Sequence, residues 1–364
     1  MVRFRLVGRQ KLHQGTDVNS NSSLTGLRRY SPRANKPLKS EPPDEQRKAE
    51  EASLPLLQRC KNHLMSNWRG QLTTVKADEK NVHGSLLLYS VVAGQTLVWI
   101  PKNDLHESNL LLDNRGSLVV GHTDPPPLIH AMRNVGHVPP RTILLSELDL
   151  VPGYEMEYVK KRVLKLLSST KQTIENAGSA TKSLLRDSGN SLNARLKALQ
   201  TMASSQEKDF DVYRLSPKTC HFVDLLGGRH LVDVSDLMGA VTDHLCPLSA
   251  ALIEGVNQSD NRRMALIMFC AVYVQERVLD AYMFSADRWG INVLARMASE
   301  NNDHDGRVDH HPSPELERPK WREFRFSFSH EVKNIEHFCL MLAEMEKECV
   351  EALNKAKELL ENHK

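Results

Sequence analysis

Histidines are the residues with the most ligating chemistry to offer here, and there are sixteen of them. His304, His310 and His311 fall in one Asp-rich stretch with Pro312, Pro314 and Pro319 nearby. That composition suits either a metal or haem ligand cluster or a solvated surface loop. His221 and His230 flank the turn signal Gly227-Gly228. His230, placed just before a strand, is either a ligand facing an interface or a structural histidine. Nucleophilic chemistry has less support. There is no Gly-x-Ser-x-Gly and no Walker loop, and Gly227-Gly228 reads as a hairpin turn and not as a phosphate cradle. Carboxylates are plentiful, but no pair is set off by apolar surroundings, so general acid–base work is not indicated. The six cysteines, at 60, 220, 246, 270, 339 and 349, form no Cys-x-x-Cys pair. Cys270, Cys339 and Cys349 sit in helical apolar patterns, where a thiol behaves as a small hydrophobe. This predicts a reducing compartment and no structural disulfide.

The charge pattern excludes whole classes of partner. Residues 1–40 carry nine basic side chains and one acid, leaving 39 basic and 44 acidic groups, a net of −5, in the rest of the 364 residues. The body is mildly acidic, so no nucleic-acid partner is expected. The longest apolar run, Met264–Val274, is far short of the roughly 20 residues of a membrane span. The leader contains Arg and Ser, is poor in acids and has no long apolar core. It reads as an organelle transit peptide or a basic tail, not as a secretory signal. Residues 1–53 are therefore set apart, with folding expected from Leu54.

Positioning elements follow from periodicity. Leu54, Leu57, Cys60, Leu64 and Trp68 predict a helix over 54–68. Short strands are expected at Gln71–Lys76, Ser85–Val92, Thr96–Ile100, Ser117–Val120 and Arg141–Leu145, joined by Gly, Asn-Asp or Pro-Pro-Pro. Close spacing of short strands favours a small barrel. Residues 154–208 predict two or three helices, punctuated by Gly178 and Gly189. Asp211–Leu215 and His221–Val223 return to strand. A second unit opens near Pro247, with a helix at Ser249–Cys270 and strands at Val278–Phe284 and Ile291–Arg296. Val272–Val274 is either a strand or the end of that helix. Residues 299–320 are polar loop, and Phe324, Phe326 and Phe328 alternate as a half-buried strand. A long helix closes the chain, with Ile335, Phe338, Leu342, Met345, Cys349 and Leu353 as its apolar stripe.

The order of several weak motifs carries a family resemblance. Gly70-Gln71-Leu72-Thr73-Thr74, Gly84–Tyr89, His106-Glu107-Ser108-Asn109-Leu110 and Asp113-Asn114-Arg115-Gly116-Ser117-Leu118 resemble the FMN-binding split barrel. Pyridoxamine-phosphate oxidases and haem-utilisation proteins of the HugZ type share that barrel. Asp211–Pro217 and Cys220–Val223 resemble the last barrel strands of the haem-utilisation branch. Ile253–Val274 and Arg322–Ser329 resemble the small α/β domain that follows there. The layout is also similar to that of the plant glutamyl-tRNA reductase-binding proteins. Two departures stand out. Asn114 replaces the usual Pro, and the Asn-x-Asp-His-like opening of the second domain is here Asn257-Gln258-Ser259-Asp260-Asn261, without His.

The resemblance implies an α+β fold. A split barrel over 54–245, with a helical insertion at 154–208, precedes a small α/β domain over 246–364. By barrel position it offers Lys102, His106, Asn109 and Arg115, together with Arg214 and His230, as cofactor-binding candidates. The Arg/Lys pair on adjacent strands that grips a phosphate in other members is missing, so whether FMN, haem or no cofactor is bound stays open. No catalytic residue or metal ligand is assigned. The implied role is a non-catalytic regulator of tetrapyrrole (haem and chlorophyll) synthesis. It would act through a protein partner such as glutamyl-tRNA reductase, in a chloroplast or alternatively a mitochondrion, and as a homodimer. The rival is a haem- or FMN-binding oxidoreductase that depends on His106 or His230.

Overall fold

The computed structural model describes residues 54–76, 81–121, 126–206, 209–298 and 320–361. The leader and the His304–His311 stretch lie outside the described residues. The first element is helix α1 (Leu56–Ser66), followed by strands β1 (Arg69–Val75), β2 (Val82–Val92) and β3 (Gln95–Pro101). Helix α2 (Leu105–Leu112), β4 (Arg115–Gly121), helix α3 (Pro126–Asn134) and β5 (Arg141–Leu150) come next. Three helices, α4 (Gly153–Glu175), α5 (Ser179–Asp187) and α6 (Gly189–Ser204), precede β6 (Phe210–Val223) and β7 (Arg229–Val232).

Six of these strands close on themselves in the order β3-β2-β1-β4-β5-β6, with β6 pairing back to β3 and β7 added along β6. All the pairings are antiparallel. Closure removes the open sheet edges that would otherwise need covering. This barrel with its outer helices gives the α+β split-barrel fold expected from the sequence.

Strand β3 shows why its stretch reads as an unbroken apolar run. Val98 and Ile100 point into the barrel with Leu72, Tyr89, Leu118, Leu144 and Phe222. Leu97 and Trp99 point outward and are covered by Val159 and Val163 of α4 and Leu199 and Met202 of α6. A strand buried on both faces loses the alternation that a half-exposed strand keeps.

Helix α7 (Val234–Gly239) packs on the barrel core through Leu237, and the second unit then starts with a short 3-10 turn (Cys246–Leu248) followed by helices α8 (Ser249–Asn257) and α9 (Asp260–Tyr273). Strands β8 (Val278–Asp287), β9 (Gly290–Met297) and β10 (Trp321–Ser327) form an antiparallel sheet in the order β10-β9-β8, and α10 (Ile335–Glu361) ends the described chain. One sheet face packs on Leu252, Leu266, Phe269 and Phe338 of the helices, and Leu184 and Leu192 from α5 and α6 join that core. The other face meets α3, where Leu128, Ala131 and Met132 pack on Phe284 and Leu294. The helices of the 154–208 stretch thus divide: α4 lies on the barrel and α5 on the small unit. Gly255 of α8 makes the second contact possible, because a Cβ there would fall 2.3 Å from the Leu184 carbonyl oxygen.

Several local expectations change. Asp211–Leu215 and His221–Val223 are one strand, β6, because the register shift between Leu145 and Ser146 lets Pro217 pass without ending the pairing. His230 lies inside β7, not before it. Val272 and Tyr273 belong to helix α9, which ends at Tyr273. Helix α3 starts within Pro125–Pro127, which reads as a joint in the sequence. Prolines at a helix start forgo only N–H groups that have no helical partner. Leu353 is 42% exposed, so the buried stripe of α10 stops at Cys349. All six cysteines are free thiols, and only Cys339 is not buried.

Candidate functional site

The site grows from the turn between β3 and α2. Asn103 takes a left-handed conformation (φ 63°) that redirects the chain, as Asn does at modest cost. Asp104 then caps α2, its carboxylate accepting the His106 backbone N–H at 2.9 Å, while Glu107 accepts the Asn103 N–H at 2.9 Å. These two caps fix the first helical turn. His106 and Asn109, three residues apart, fall on the face of α2 that meets the barrel.

There His106 is wholly buried between two hydroxyls. Its Nδ1 lies 2.8 Å from Thr74 Oγ1 of β1, and its Nε2 lies 3.0 Å from Ser85 Oγ of β2. Asn109 Nδ2 donates to the same Thr74 oxygen at 2.9 Å. Burial outweighs the nearby Asp104 charge and depresses the His106 imidazole to a pKa of about 4, with His83 adding to the shift, so the ring is neutral at pH 7. His83 precedes Ser85 by two residues on β2. Its ring centroid is 4.5 Å from that of His106, and its Nε2 is 4.0 Å from Asp104 Oδ1.

Lys102 directly follows β3 at the same barrel end and holds Asp211 of β6, Nζ to Oδ1 2.5 Å. Beside it, burial pushes the Tyr213 hydroxyl up to about 12, helped by the charges of Asp211 and Glu107.

Of the sequence candidates, the structure therefore gathers Lys102, His106 and Asn109 around one end of the barrel. It does not bring the other three to them. Arg115 is exposed and chelates Asp113, with Nη2 2.6 Å and Nε 2.9 Å from its carboxylate oxygens, and this ion pair and bond hold the Asp113 carboxyl down at about 2. Arg214 turns to Glu155 of α4 at 2.5 Å. His230 Nε2 is 2.6 Å from Asp224 Oδ2 at the β6–β7 turn, where the same carboxylate accepts the Leu226 and Gly228 N–H groups.

Sequence reasoning missed Thr74, His83, Ser85 and Asp104. The spacing Asp104…Glu107 is a capping signature, and His83 with Ser85 shares one strand face. Those two signals would have found three of the four.

A flavin phosphate or a haem propionate needs cations that converge and are not already committed. Here each arginine and lysine candidate meets a carboxylate of its own. These residues do not fit either cofactor.

No family model matches the sequence, and no curated protein matches it either. Similar shapes exist among solved structures. One is a heme binding protein from Mycobacterium smegmatis, 14% identical, covering 82% of this chain and 99% of that one with a TM-score of 0.46. Another is ChuZ of Campylobacter jejuni, 13% identical, covering 52% and 65% with a TM-score of 0.35. A third is General Stress Protein 26 of Bacillus anthracis, 8% identical, covering 48% and 98% with a TM-score of 0.29. Among the described residues no helix is long and apolar enough to cross a membrane.

Proposed function

We propose that this protein is a non-catalytic split-barrel binding protein that regulates tetrapyrrole synthesis in a plastid through a protein partner, of the glutamyl-tRNA reductase kind. The observation that carries the reading is the commitment of the cofactor-position cations: Lys102 to Asp211, Arg115 to Asp113 and Arg214 to Glu155. A barrel built this way keeps its shape without offering an anion site. The rival reading, a haem- or FMN-binding oxidoreductase, requires His106 or His230 to turn away from these hydroxyl and carboxylate partners.

Partner docking is supported by the end of α10, where Val350–Glu361 is exposed throughout. Val350, Leu353 and Leu360 share one stripe of that helix by spacing, an apolar face of the kind that a partner groove accepts. Pairing of two copies is supported by the exposed Val82 and Leu86 on β2 and Leu111 and Leu112 on α2. The basic leader supports organelle import, with the two domains as divided in the sequence.

The test is direct binding of purified glutamyl-tRNA reductase to the full chain, followed by interferometry. Saturable binding that Leu353→Asp with Leu360→Asp weakens at least tenfold supports the reading. No binding by the parent chain overturns the choice of partner.

A further inference from the structure

The outward side of the His106 cluster has a chemistry of its own. One ring nitrogen of His83, one ring nitrogen of His106 and a carboxylate oxygen of Asp104 lie within 4.8 Å of one another. They come from β2, from the first turn of α2 and from its cap, so three separate constraints bring them together. We propose that His83, Asp104 and His106 form a binding site for a first-row divalent transition-metal ion, of the zinc class, with water completing the coordination.

The donor set decides the class of ion. Two imidazoles and one carboxylate suit zinc and its first-row neighbours, whereas calcium and magnesium demand oxygen ligands. The surroundings supply the support that ligating histidines have elsewhere. Thr74 Oγ1, 2.8 Å from His106 Nδ1, also accepts from Asn109. A hydroxyl oxygen accepts two hydrogen bonds, so Thr74 has room to accept from the tautomer with hydrogen on Nδ1, and in that tautomer the Nε2 lone pair is left for an ion, on the side where Ser85 now sits. Outer partners of this sort orient a ring and raise its basicity as a ligand. The Asp104 carboxylate is held in place by the His106 backbone N–H.

Ligands around tetrahedral zinc stand roughly 3.3 Å apart, so the cluster must tighten. His83 makes that movement. Its side chain is only half-buried, near the start of β2, while His106 stays packed. The positive end of helix α2 opposes a cation, and the Asp104 charge offsets it. The site should therefore bind more weakly than a closed four-ligand zinc site.

The test uses the full chain carrying His330→Ala and His337→Ala, because those two exposed rings approach at 2.8 Å, Nε2 to Nε2, and offer a competing surface chelate. Zinc affinity is read by competition with a chromogenic chelator, and Co²⁺ is added separately for its visible d–d bands. The expected result is one equivalent of cobalt in a nitrogen- and oxygen-ligated environment. His83→Ala and Asp104→Asn should each weaken zinc by at least tenfold with an unchanged far-UV circular dichroism spectrum. Thr74→Val should weaken it by about 10- to 100-fold. Equal zinc affinity and cobalt spectra in the parent, His83→Ala and Asp104→Asn chains overturn the proposal, as does a parent chain that binds neither ion.

Discussion

The hydroxyl of Thr74 and the Nδ1 of His106 lie 2.8 Å apart with both residues out of contact with water. This bond ties α2 to the barrel strand that α2 covers. It also shares the Thr74 oxygen with Asn109. Thr74→Val keeps the shape and removes the oxygen, leaving two buried polar groups short of a partner. We expect a loss of about 2–3 kcal/mol in urea unfolding, set by the cost of unmade buried hydrogen bonds. Thr74→Ser should recover most of it.

Asp287 and Arg325 form a buried ion pair at 2.8 Å, with side chains 9% and 8% exposed. Asn292 also accepts from Arg325 at 2.7 Å. Removing the carboxylate alone takes away the 2.8 Å counter-charge of a buried guanidinium in the small sheet. Asp287→Ala should cost about 3–5 kcal/mol, and the double change Asp287→Leu with Arg325→Met should cost much less. Chemical denaturation of both variants checks the contrast.

At the contact of α5 with α8, Gly255→Ala would drive a methyl to within 2.3 Å of the Leu184 carbonyl oxygen. Helix backbones cannot give way cheaply, so a loss of about 2–3 kcal/mol is expected. Hydrogen exchange should show α5 and the small unit from Cys246 onward loosening first, with the barrel strands still protected.

Much of this was legible in the sequence, and the misses share a cause. The short strands, the aromatic alternation of Phe324 and Phe326 and the three helices after 153 are all local periodicities. The close spacing of the strands favoured a small barrel, and the α+β split-barrel class came from the family resemblance. Helix α3 was hidden because Pro125–Pro127 signals a joint and its apolar face serves Phe284 and Leu294, distant in the chain. The site was half legible. Lys102, His106 and Asn109 were named, but their partners Asp211 and Thr74 come from other strands, and no spacing encodes them. Arg214 looks like a free cation in a sequence because Glu155 meets it only in space, whereas Asp113, the partner of Arg115, stands just two residues before it.

His137 is 7% exposed, 3.4 Å from Glu323 across the α3–β10 contact. Burial pushes its pKa below the ordinary histidine value, against the pull of Asp224. A folded-state pKa below the unfolded one means that the unfolded chain takes up the proton first as pH falls. The stability from this residue is therefore complete above pH of about 6.5 and declines below it. Burial raises the Glu323 carboxyl, and a raised carboxyl acts in the opposite sense, gaining stability as pH falls through its folded value. Urea midpoints between pH 7.5 and 5.5 should fall for the parent chain and fall less for His137→Gln.

The most direct measurement is an absorbance titration of the full chain with haem and, separately, with FMN. The commitment of Lys102, Arg115 and Arg214 to carboxylates predicts no saturable Soret shift and no quenching of flavin fluorescence at micromolar protein. A one-to-one Soret shift or flavin complex, abolished by His106→Ala or His230→Ala, would contradict the account and establish the oxidoreductase reading in its place.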